Sequence, residues 1–216
     1  MNPTPSPLSL GASQADDDEL ARAELYGLLA RLWIAPPDAE LLERLASAGA
    51  DAPQPGGLLE AAWQSLLNAV RSTDAGRAAA EFDALFAGVG KSEILPYGSY
   101  HLSGYLHEQP LARLRTDLAA LGLARDNTRA ETEDHVAYVF EVMRWLIAGD
   151  DEAVCVLEQQ RRFFRDHVQS WVDRLCEAVE AHPRALLWRS IAAFTACFVA
   201  IEAQAFDMLE ASGEHP

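Results

Sequence analysis

The stretch RALLWRSIAAFTACFVAIEAQAFDML, residues 184–209, decides the fold. Its middle is apolar nearly all round, with Phe194, Phe198 and Ile201 set among alanines. A helix of that composition is stable where other helices surround it, so the segment predicts the buried centre of an all-α domain. Its most apolar run, 191–201, falls short of the ~18–20 residues that span a bilayer, and Arg189 stands just before it. The expectation is a core helix with no stable membrane insertion.

Upstream, Pro183 closes a run in which Val154, Leu157, Phe164, Val168, Trp171, Leu175 and Val179 keep helical phase. That predicts one long helix opened by Asp150, Asp151 and Glu152, whose charges suit a helix N-terminus. A sixth helix before it, with Thr128 or Thr132 as its cap, runs to Ile147 and ends at Gly149. A fifth opens at Pro110 and stops at Gly122. At the other end, Asp16 to Glu19 open a first helix, whose stripe holds Leu25, Leu28, Leu29, Leu32 and Trp33, and Pro36 and Pro37 end it. Further helices are predicted over 38–48, 58–71 and 75–87, with a Pro/Gly loop over 49–57. From Gly88 to Gln109 the helical period fails and four glycines appear. Long ordered connections of this kind often carry function. This one is predicted to hold a single short helical turn near 99–106. The sum is a single-domain helical bundle of about eight to ten helices with a long irregular mid-chain connection. It occupies residues 16–211 and follows a disordered, Pro/Ser-rich tail over 1–15.

Charge narrows the partners. There are 33 Asp and Glu against 17 Lys and Arg, a net −16. Such a surface repels nucleic acid and anionic membranes and would steer a basic peptide toward itself, although on charge alone the acidity need only keep the chain soluble. Cys155, Cys176 and Cys197 lie apart in helical patterns and read as small buried hydrophobes of a reducing compartment. Residues 1–15 have neither a basic n-region nor an apolar h-region, so a cytoplasmic protein is expected.

Several motifs invite chemistry. Gly90-Lys91-Ser92 looks like the end of a phosphate loop, but the position five before Gly90 is Leu85 and the segment follows a helix. Ser99 in Tyr97-Gly98-Ser99-Tyr100 lacks the second glycine of a nucleophile elbow. Glu131, Glu133, Asp134 and His135 cluster at the predicted start of the sixth helix, where Glu131 and His135, four apart, would share a face. A metal-dependent hydrolase built on Glu131, Asp134 and His135 is one reading; acids that cap a helix beside a hydrogen-bonding histidine are the other. Phe82, Leu85, Phe86, Leu95, Tyr97, Tyr100 and Tyr105 gather in and just before the irregular connection. Some must be core, yet a connection folded over them would leave an apolar groove fit for a peptide.

These residues carry a resemblance. Phe82-Asp-Ala-Leu85-Phe86-Ala-Gly88-Val-Gly90, then Leu95-Pro96-Tyr97-Gly98-Ser99-Tyr100, resembles the TorD/DmsD/NarJ family of redox-enzyme maturation chaperones. Glu131-Thr132-Glu133-Asp134-His135 is similar to that family's Glu-Pro-x-Asp-His motif, with Thr132 in the place of the proline. Phe164-Arg-Asp-His167-Val-Gln-Ser-Trp171 looks like its third recurring element, and the likeness spans roughly 18–210. The resemblance implies an all-helical, non-enzymatic chaperone without a cofactor of its own. It would bind the twin-arginine signal peptide and precursor of a molybdopterin oxidoreductase, holding back export until the cofactor is inserted. Residues 100–125 look like members linked to formate dehydrogenases; a DMSO/TMAO-reductase-type client is the other expectation. Carried over by motif, the peptide-binding residues are Phe82, Leu85, Phe86, Pro96, Tyr97, Ser99, Asp134 and His135. A monomer or a helix-exchanged dimer is compatible with this reading. The rivals are the metal-dependent hydrolase and a general helical interaction module.

Overall fold

A computed structural model describes residues 10–48, 57–87, 92–126, 128–151 and 153–213. Their order is α1 (Leu10–Ile34), α2 (Ala39–Ser47), α3 (Glu60–Arg71), α4 (Ala75–Phe86), α5 (Gly98–Ser103) and α6 (Gln109–Ala120). Then come α7 (Val136–Ala148), α8 (Leu157–Phe164), a π-helix (Arg165–Gln169), α9 (Val172–Glu180) and α10 (Leu187–Gly213). The fold is all-α, and the described residues contain no strand beyond one isolated bridge.

α10 packs against α3, α4 and α9, and α1 runs along α7. The core residues of α10 include Trp188, Ile191, Phe194 and Phe198, all buried, as the opening stretch predicts. Its second half departs from that expectation: Ala200, Gln204 and Ala205 are exposed and Ile201 is half-buried. Leu187–Ala211 is also, by length and composition, apolar enough to cross a membrane, contrary to the expectation of a run too short. In the bundle that apolarity serves helix packing along one side.

Local chemistry sets most boundaries. Asp38 accepts the Leu41 amide and caps α2; Asp74 accepts the Arg77 amide and caps α4. Gly104 and Gly122 end α5 and α6 with φ of 84° and 76°, a region that favours glycine. One cap is long-range: the Glu81 carboxylate on α4 accepts the amides of Leu186, Leu187 and Trp188 at the start of α10, at 2.8–3.1 Å.

Four expectations need correcting. α1 begins at Leu10, so residues 10–15 are helical; the rest of the expected tail, 1–9, lies outside the described residues, as do 49–56 of the predicted loop and Gly90-Lys91. The sixth predicted helix starts only at Val136, which leaves Glu131 before it and not on a face shared with His135. The seventh is two helices joined by a π turn. Asp151 forms a turn, accepting the amides of Val154 and Cys155 on its carbonyl, and helix begins only at Leu157. Finally, Cys176 is buried, but Cys155 and Cys197 are half-buried rather than core.

Candidate functional site

The mid-chain connection and the segment before α7 lock together through their backbones. Tyr97 and His135 form an antiparallel bridge, in which the Val136 amide donates to the Pro96 carbonyl and the Gly98 amide to the Asp134 carbonyl, both at 2.9 Å. Asp134 ties the lock with its side chain. One carboxylate oxygen accepts the Ser99 amide at 2.9 Å, the other the Thr132 hydroxyl at 2.6 Å. Asp134 is 2% exposed. The Thr132 hydroxyl therefore braces the acid from behind.

His135 caps α7: its Nδ1 accepts the Ala137 amide at 3.2 Å. A ring that accepts at Nδ1 carries its proton at Nε2 when neutral. Burial pushes the imidazole down to about 4, so it is neutral near pH 7. The ring meets Tyr97 edge-on at 5.2 Å. The Tyr97 hydroxyl donates to Glu131, and burial together with that carboxylate raises the phenol well above its ordinary value.

The third motif reaches the same place. A Cβ on Gly98 would sit 3.1 Å from the Trp171 indole, tighter than side chains ordinarily pack, so glycine eases the close passage of the connection. The Trp171 indole N–H donates to the His167 carbonyl at 2.7 Å, and His101 stacks on the Trp171 ring at 5.7 Å. The imidazole of His101 in turn bonds the Leu95 carbonyl.

The apolar half of the expected site lies along α4. Leu85 is fully buried, and its carbonyl accepts the Ile94 amide at 3.0 Å, tying α4 to the connection. Phe82 and Phe86 are half-buried, 5.1 Å apart, with ring centroids 5.4 and 5.9 Å from Trp188; Phe86 also meets Trp33 at 5.8 Å. Of the eight residues carried over by motif, Leu85, Pro96, Ser99, Asp134 and His135 are buried, while Phe82, Phe86 and Tyr97 keep some exposure. Asp134 is not free to meet a peptide here, because both of its oxygens are engaged inside.

The accessible acid is Glu131. It borders a groove of about 510 Å³ between the C-terminal half of α1, the end of α6 and α7. Ile34, Leu118, Leu123, Tyr138 and Val142 make its walls apolar, and Asp126, Glu133 and Glu141 join Glu131 among its acids. Three arginines also line it, two of them paired: Arg31 with Asp38 and Arg129 with Asp126. Glu133 takes a two-pronged bond from Arg115 at 2.9 and 3.0 Å. Sequence reasoning missed Ile34, Leu123, Tyr138 and Val142, which converge from distant parts of the chain and carry no motif. Among the described residues, no group of three or more His, Cys, Asp or Glu side chains is placed to hold a metal ion.

A family model described as the nitrate reductase delta subunit matches residues 53–177, more than half of the chain. The chain belongs to the nitrate reductase delta subunit family. This is a family of redox-enzyme maturation chaperones, of the NarJ and TorD type, that works with molybdoenzyme precursors. No curated protein matches the chain in sequence. Within the delta subunit match fall all eight motif residues, Glu131 and the bridge; α1, α2 and the whole of α10 lie outside it. The residues carried over by motif thus form the frame of one face, and Ala30, Arg31 and Ile34 of α1 complete the groove beside it.

Proposed function

We propose that this chaperone binds the twin-arginine signal peptide of a molybdopterin oxidoreductase precursor in the groove beside the Tyr97–His135 bridge, and so delays export until the cofactor is in place. The reading rests on one observation above all: an apolar-walled groove with Glu131 at its edge adjoins the family's two motifs. The peptide offers two arginines and an apolar stretch. Burying a few hundred Å² of apolar surface, at about 25 cal/mol per Å², offsets part of the cost of ordering a flexible segment. Glu131 is the acid to which a guanidinium would bond, with Tyr97 orienting it. Phe82, Phe86 and Tyr97, which keep some exposure but do not line the groove, would meet a peptide that runs past it. Leu85, Pro96, Ser99, Asp134 and His135 would hold the frame.

Calorimetry with a twin-arginine peptide tests this. Micromolar or tighter binding is expected, weakened by salt and weakened about tenfold or more by Glu131→Gln, as loss of a charged hydrogen bond implies. If Glu131→Gln and an arginine-free peptide both bind like the parent pair, the groove is not the signal-peptide site.

A further inference from the structure

A second groove, of about 600 Å³, lies between α1 and α10, away from the bridge. The two helices are joined here by long side chains, with the Tyr26 ring edge-on to Phe198 at 4.9 Å. Arg22 on α1 makes paired bonds to Glu202 on α10 at 2.8 and 2.9 Å, and the Tyr26 hydroxyl donates to the same acid at 3.0 Å. Arg22 and Glu202 line the groove, with Tyr26 buried behind them. Burial opposes the charge on Arg22, but the bond to Glu202 outweighs it and holds the guanidinium charged. Above them the walls are almost wholly apolar, with Leu25, Leu58, Leu157, Phe198, Ile201 and Leu209 among them. Leu58 is 74% exposed, Leu209 49% and Leu157 45%, so large side chains cluster in solvent around one opening.

We infer that this groove receives an amphipathic, positively charged helix of a partner protein. Phe198, Ile201, Ala205 and Leu209 lie three or four apart along α10, the seam that a second helix reads with its own stripe. That seam covers three turns and matches an occupant of similar length. Charge decides which helix. The charged residues that line the groove are Glu19 and Glu202 against Arg22, which is paired to both. The surplus is negative, on a chain of net −16. A second copy of such a chain is repelled; a helix with lysines or arginines beside its apolar stripe is drawn in.

The test uses two synthetic 18-residue helical peptides with leucines at i, i+3, i+4 and i+7, one otherwise rich in lysine and one in glutamate. Fluorescence anisotropy with the full chain should show binding of the lysine peptide only. Ile201→Asp and Leu209→Asp should each weaken it at least tenfold. Each adds negative charge, so mere attraction to an acidic surface would predict tighter binding instead. Circular dichroism of both variants controls for folding. Glu131→Gln should leave this binding unchanged, and Leu209→Asp should leave signal-peptide binding unchanged, so either reading can fail alone. Failure of the lysine peptide to bind, equal binding to the Asp variants, or a self-dimer that Leu209→Asp dissolves overturns the inference.

Discussion

At the scale of single residues, two neighbouring acids have opposite tasks. Asp134 is buried and accepts the Ser99 amide and the Thr132 hydroxyl. Asp134→Ala would leave the Ser99 amide buried without a partner, and a loss of about 1–3 kcal/mol is expected in urea denaturation. Asp134→Asn keeps an acceptor for that amide and should lose less. Glu131→Gln lies at the groove edge and should change peptide affinity with stability nearly intact. Gly98→Ala belongs with Asp134: its methyl would press on Trp171, which is 2% exposed and bonded to His167, so the ring must shift by a few tenths of an ångström within the core. About 1–3 kcal/mol is expected there, as for other overpacked core sites. The motifs were legible in the sequence because spacing and residue type sufficed to find them. Which acid faces solvent was not, because the bridge that buries Asp134 joins residues 96–98 to residues 134–136, a pairing that local periodicity does not encode.

At the scale of elements, helical phase located nearly every helix and failed where backbone bonds change partner. Phe164, Val168, Trp171 and Leu175 keep phase, yet the chain breaks at Trp171, whose φ is −152°. In an α-helix the His167 carbonyl would take the Trp171 amide. Here the indole N–H takes it at 2.7 Å, the Trp171 amide turns to Val168, and the π-helix absorbs the difference. Apolar spacing is unchanged by that exchange, so the sequence reads as one helix. The start of α10 carries its own prediction. Its first amides are capped from α4 by Glu81, about a hundred residues earlier in the chain. Glu81→Ala should cost about 1–3 kcal/mol in urea denaturation, since an anionic cap is lost from the positive end of a helix and several amides lose their acceptor. Glu81→Gln should fall between Ala and the parent.

Across the whole molecule, buried histidines make stability depend on pH. His135 is held down to about 4 by burial, and burial also lowers His101 and His167 despite their bonds to the Leu95 carbonyl and to Asp117. Unfolded, each would take a proton near pH 6.5. Between about 4 and 6.5 the unfolded chain therefore binds more protons than the folded one, so stability rises with pH through that window and is complete above it. For His135 the full swing is about 3 kcal/mol. Acidification has an opposing effect on this chain, because protonating carboxylates relieves the self-repulsion of a net −16 surface. A single variant separates the two. His135→Asn keeps a side-chain acceptor at the α7 cap but cannot titrate. Urea midpoints at pH 7.5 and 4.5 should drop steeply for the parent and distinctly less for His135→Asn, with surface repulsion the same in both. Equal drops would mean that the imidazole is solvated and protonated in the folded chain, and the bridge between Tyr97 and His135 would then be open to water.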